Sequence, residues 1–208
     1  MKVDLNPIKD PKFEGAYRLG LASGVLSAVA AATASAGHLF ALRWAPVSTE
    51  RQIWFLLQRF RARLVTIHGP TATQELGLDL SIVRTFTAAG SGGTAVTFAG
   101  TPNSGQKRSG MPTSQVADAR IANTGALTAG TQTFDGTAIA QASCSEVAFA
   151  ATVQATYAEL NLDTQDLVQY PVVLGKNEGI ILRNTIAQGT AYTGRLIVEL
   201  DWLELERY

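Results

Sequence analysis

The stretch Thr193-Gly-Arg-Leu-Ile-Val-Glu-Leu-Asp-Trp-Leu-Glu-Leu205 decides the fold. Leu196, Val198, Leu200 and Trp202 fall on one side of it, and Arg195, Glu199 and Asp201 on the other. A period of two is the mark of a strand with one dry and one wet face. The chain therefore ties its last segment into a sheet.

The same alternation recurs upstream. Glu178 to Ile186 reads as a strand, and Gly175-Lys-Asn-Glu178 before it has the composition of a hairpin turn. In Arg51 to His68, Phe60, Ala62, Leu64 and Thr66 oppose Arg59, Arg61, Arg63 and Val65, while Ile53 to Leu57 is apolar on both sides. That start suits a buried strand end or one helical turn. After Gly69-Pro70, Gln74 to Phe86 places Leu76, Leu78, Leu80 and Ile82 against Glu75, Gly77, Asp79 and Ser81. Two long strands joined by a short polar turn predict a hairpin. Tyr17 to Leu21 and Leu39 to Trp44 add two further strands, the second ending at Pro46. Shorter strands are expected at Ala119–Ala122, Gln132–Phe134, Ile139–Ser143, Thr156–Leu160 and Val172–Leu174.

Two segments break the pattern. Residues 1–15 hold prolines and lysines without periodicity and read as an extended N-terminal arm, leaving 16–208 as a single domain. Thr87 to Gln115 is rich in Gly, Ser, Thr and Pro, which gives it little apolar area to bury. It reads as a long surface loop with one short strand at Ala95–Phe98, and as an interaction loop. Many short strands with regular turns imply an all-β fold, an antiparallel β-sandwich of jelly-roll type.

Composition narrows the role. Of 208 residues, 46% are hydrophobic and only 16% charged, against the usual ~25%, so the surface must be largely small and uncharged. Such surfaces suit proteins packed against neighbours. Seventeen basic and 17 acidic residues cancel, which argues against direct nucleic-acid binding or adsorption to an anionic membrane. Ala22 to Gly37 is too short and too rich in Ala, Ser and Thr for a spanning helix, which needs ~20 apolar residues. Nor does it resemble an export signal, so the chain is expected to be made in the cytoplasm of its host cell.

Chemistry-bearing residues are sparse. The lone Cys144 cannot form an intrachain disulfide and reads as a small buried hydrophobe. His38 and His68, the only histidines, lack a second ligand at metal-binding spacing, and each reads as an ordinary turn residue. Gly90-Ser-Gly-Gly93 does not open a helix, so it is a poor phosphate cradle. Trp44, Trp54 and Trp202 lie within periodic strands and read as core. These readings predict no catalytic residue, no cofactor and no metal.

The most pointed charge feature is Arg59, Arg61 and Arg63, three guanidinium groups on one side of a strand within about 13 Å. One reading pairs them across strands with Glu75, Asp79, Glu199 or Asp201. The other makes them, with Lys107 and Arg108 of the long loop, a docking stripe for an acidic partner.

In segment order and style the chain resembles virion structural proteins of tailed bacteriophages, especially small jelly-roll proteins that decorate or cement the capsid. The likeness rests on Tyr17 to Ser27, His38 to Trp44, Gln74 to Leu80 through Arg84-Thr-Phe-Thr-Ala88, Gly179 to Asn184, and Val198 to Trp202. It implies a non-enzymatic virion component that contacts the major capsid protein and neighbouring copies of itself. A tail, collar or fibre component and a carbohydrate-binding adhesion module are the alternatives.

Overall fold

The computed structural model describes residues 13–33, 35–46, 53–98, 105–108, 110–148, 156–163, 171–189 and 191–206. Among these residues there is no helix, and thirteen strands form two antiparallel sheets packed face to face. The first sheet holds β1 (Phe13–Ala22), β13 (Thr193–Leu205), β4 (Trp54–His68) and β10 (Tyr157–Leu162), in that spatial order. Short β2 (Leu26–Ser27) lies beside β13, and β11 (Val173–Leu174) beside β4. The second sheet runs β6 (Thr94–Val96), β7 (Val116–Ile121), β3 (His38–Trp44), β12 (Glu178–Asn184), β5 (Gln74–Ala88), β8 (Thr131–Phe134), with β9 (Ala140–Glu146) also against β5. The early half of the chain pairs with the late half in reverse order. β1 meets β13, β3 meets β12, β4 meets β10, and β5 meets β8 and β9.

The two longest strands depart from the expected hairpin. β4 and β5 belong to opposite sheets, so the turn at Gly69-Pro70 carries the chain across the core. β4 instead lies between β13 and β10, and β5 between β12 and the β8–β9 run. The turn Gly175 to Glu178 is also no hairpin: it joins β11 of the first sheet to β12 of the second. It closes with the Glu178 N–H donating to the Gly175 carbonyl, and Asn177 takes the left-handed conformation at φ 63°. An amide side chain tolerates that region better than most. Among the described residues of Ala22 to Gly37, only Ala22, the end of β1, and the two residues of β2 are in strands. No helix among the described residues is long and apolar enough to cross a membrane.

Both inner faces supply the core. Leu196, Val198, Leu200 and Trp202 of β13 are fully buried, as are Phe60, Ala62 and Leu64 of β4. At one end the Trp202 indole stacks on Tyr17 (5.4 Å between centroids) and Phe55 (5.7 Å), and meets Phe98 edge-on at 87°. Such offset and edge contacts add to what area burial alone contributes. Phe98 and Met111 belong to the segment expected to be a surface loop. Phe98 is buried, and Met111 packs on a small cluster of Ala16, Leu56 and Leu203 outside the first sheet. The loop is therefore partly built into the fold. That outer cluster also explains why Ile53 to Leu57 looked apolar on both sides. Where β13 passes from Asp201 to Trp202 the β4 register slips, with Leu57 opposite Trp202 but Arg59 opposite Asp201. A bulge of one residue resets which side faces the core.

Candidate interaction face

The outer side of the first sheet collects the arginines. Odd-numbered positions of β4 and β13 point outward past the bulge, and cross-strand register sets Arg59 opposite Asp201, Arg61 opposite Glu199, and Arg63 opposite Ile197. On the other flank β10 places Glu159 opposite Arg63. β1 places Arg18 opposite Asp201.

Two ion clusters result. At the first, Asp201 is 5% exposed and takes three cations. Arg18 makes a two-pronged contact (Nε to Oδ1 2.8 Å, the second nitrogen to Oδ2 3.2 Å). Arg59 lies 3.2 Å away and Lys107 3.4 Å. Lys107 reaches this point because its segment lies along β1: the Lys107 N–H donates to the Ala16 carbonyl, and the Arg18 N–H to Gly105. Burial would push the Asp201 carboxyl up, but the Arg18 hydrogen bond and the charges of Lys107, Arg18 and Arg59 outweigh it and hold the group below its ordinary value. At the second cluster, Glu159 accepts from Arg61 (2.6 Å) and Arg63 (2.8 Å), and these two hydrogen bonds lower its pKa. The Arg63 guanidinium also lies 4.8 Å from the Tyr157 ring centroid, a cation–π contact.

The sequence-predicted stripe is thus real in placement but divided in role. Arg59 and Lys107 converge on Asp201, while Arg61 and Arg63 share Glu159. Of the expected acidic partners, Glu199 and Asp201 serve Arg59. Glu75 and Asp79 lie on the second sheet. Glu159 was missed, although its outward place in Tyr157-Ala-Glu-Leu160 is readable from the alternation. Arg108 is exposed and its carbonyl accepts from the Met111 N–H.

Beside Arg63 the face becomes apolar. Tyr157, Ile67 and Ile197 are 48%, 43% and 40% exposed. A shallow hollow of about 150 Å³ is lined by Arg61, Arg63, Ile197 and Glu199.

Elsewhere polar groups are structural. The outer positions Asp79 and Ser81 of β5 are buried too, because Arg183 clamps Asp79 through two bonds of 2.8 and 2.9 Å and donates to Ser81. Arg183 lies in turn on the Phe134 ring. His38 is buried there, edge-on to Phe134. Burial lowers its pKa and Arg183 adds to this, so it is a core histidine rather than the expected turn residue. His68 sits in its turn, Nδ1 lying 2.9 Å from the Gly69 carbonyl and 3.0 Å from that of Ala191. Trp44 and Trp202 are core as expected; Trp54 is half-buried. Cys144 is half-buried against the core, and burial, then Glu146 and Glu75, raise its pKa, which disfavours the nucleophilic thiolate.

Two other carboxylates are buried between layers. Glu204 accepts from the Ser114 hydroxyl (2.6 Å), the Gln115 N–H and the Trp202 indole N–H (3.0 Å), which pins the loop's return to β13. Glu146 is 2% exposed and near Thr66, which also neighbours Tyr192. Neither Glu146 Oε2, Thr66 Oγ1 nor the Tyr192 hydroxyl has a hydrogen bond of good geometry. Burial raises the pKa of Glu146 and of Tyr192. Among the described residues no three His, Cys, Asp or Glu side chains are grouped to hold a metal ion. No family model, curated protein or solved structure matches this chain.

Proposed function

We propose that this chain is a non-enzymatic structural protein of a virus particle, a decoration or cement protein on a tailed-bacteriophage shell, built on a jelly-roll sandwich. The reverse-order pairing of early and late strands supports that architecture. It is what a long antiparallel hairpin makes when it rolls up, with β13 then lying against β4 and β12 against β5. Under this reading β6 and β7 are an insertion on the outer flank of β3. The resemblance in segment order to small capsid-decorating proteins supports the role, and fold alone would not.

The observation that carries the proposal is the outer face of the first sheet, where a low-charge chain concentrates its arginines. These are held in fixed geometry by shared carboxylates, so they lose little freedom on meeting a partner. Many such contacts, each weak, add up when copies sit side by side on a shell. Its partners would be the major capsid protein and neighbouring copies, and its location the virion. A carbohydrate-binding role is less well supported. Among the described residues, Tyr157 is the one large aromatic of the strongly exposed apolar set, and its ring is occupied by Arg63.

Quantitative mass spectrometry of purified particles tests the proposal. A cement protein is expected in stoichiometric ratio to the shell subunit. A dozen copies or fewer would favour a tail, collar or fibre component, and absence from the particle would end the proposal.

A further inference from the structure

Resting on that reading, we infer that the docking site proper is the apolar end of the outer face, formed by Tyr157, Ile197 and Ile67 with Arg61 and Arg63. Its occupant is a shell-protein surface that offers an apolar side chain flanked by carboxylates.

Three observations converge. First, of the five large apolar side chains strongly exposed among the described residues (Val25, Ile67, Val147, Tyr157, Ile197), three lie on this end. Register places them together: Ile197 is opposite Arg63, and Tyr157 is opposite Val65, two residues before Ile67. Leaving them in water forgoes burial that one docked partner would supply. Second, the combination is that of an interface centre, where exposed aromatic and arginine side chains carry most of the binding energy. Arg63 on the Tyr157 ring holds both in place before a partner arrives. The hollow of about 150 Å³ between Arg61, Arg63, Ile197 and Glu199 offers room for one inserted side chain.

Third, charge selects the partner. The described outer face carries Arg18, Arg59, Arg61, Arg63, Arg195 and Lys107 against Asp201, Glu199 and Glu159. With Asp163, the residue after β10, counted as well, six positive charges face four negative ones on a chain whose total is zero. The opposite end spends its cations on Asp201, whereas at the docking end Glu159 serves two arginines and Glu199, 3.4 Å from Arg59, also lines the hollow. Each guanidinium keeps donors for an incoming carboxylate. A second copy docking by two-fold symmetry would set this positive excess against itself, which disfavours a self-contact here.

The test uses the full-length chain and shells assembled without it. Wild-type chain is expected to bind and saturate. The double variant Tyr157→Ser with Ile197→Glu is expected to bind at least tenfold more weakly, with an unchanged β-sheet circular dichroism spectrum and melting transition. Arg61→Glu with Arg63→Glu is expected to weaken binding at least as much at low salt. Val147→Glu, an exposed position outside this face, is expected to bind within twofold of wild type. Wild-type chain that does not bind any shell overturns the structural role itself. Wild-type binding with both double variants unaffected overturns only the docking site. A loss of self-association in place of shell binding assigns the face to a second copy and overturns the partner.

Discussion

Asp201 and Glu146 are two carboxylates of the same sandwich, both nearly out of water, and they are treated in opposite ways. Asp201 sits on the outer face under Arg18, Arg59 and Lys107. Glu146 sits at the inner end of β9 near Thr66, and among the described residues no cation shifts its pKa. A buried charge is tolerated when paired and costly when not. The outer face therefore favours the ionised form of its carboxylate, while burial in the interior disfavours the ionised form of Glu146. The signs of their pH dependence follow. The Asp201 pKa is lowered on folding, so its stabilisation is present above its unfolded value and is lost as pH falls through the folded one. The Glu146 pKa is raised, so stability is highest below its unfolded value and falls as pH climbs through the folded one.

Removing the anion that three cations share breaks the comparison most directly. Asp201→Ala is expected to destabilise by about 2 kcal/mol near pH 7, below the roughly 3–5 typical of a broken buried pair. The discount reflects the partial exposure of the freed cations, which can turn to water. The loss should vanish at a pH low enough to protonate Asp201; urea denaturation at several pH values reads both.

Glu146→Gln sharpens the other side. It keeps the shape and removes the ionisable group, and is expected to stabilise by about 1 kcal/mol at pH 8 and to change little at pH 4. Equal stability of variant and wild type at both pH values would mean that Glu146 finds a partner when ionised.

The smallest effect is expected at Arg18→Ala. Its side chain is mostly exposed and two other cations remain on Asp201, so the loss should stay under about 1 kcal/mol and shrink with added salt.

How much of this was readable in advance depends on whether a feature is local. The alternation of β13 gave its face assignment residue by residue, because a strand's side-chain period is a property of the segment alone. Which sheet a strand joins is not. Leu64 lies beside Leu196, 132 positions later, and nothing around Gly69-Pro70 tells a hairpin from a crossing. Asp79 and Ser81 looked wet because the alternation cannot see Arg183 and Phe134, which close over them from β12 and β8. Phe98 and Met111 were hidden by their Gly- and Ser-rich surroundings, yet each packs against a cluster of buried apolar residues. The arginine stripe was legible as a stripe, but its division was not. Lys107 reaches Asp201 because residues 105–107 run along β1, and Arg18 because β1 pairs with β13. Of residues 1–15, expected to form an arm, 1–12 lie outside the described residues and 13–15 belong to β1.

The central claim is that the chain acts by contact through the outer face of its first sheet. Amine-reactive cross-linking of intact particles, read by mass spectrometry, tests this most directly, because Lys107 stands on that face and Lys176 stands off it in the turn before β12. Lys107 is expected to be linked to a shell subunit in high yield and Lys176 weakly. Shell links through Lys176 with none through Lys107 would contradict it.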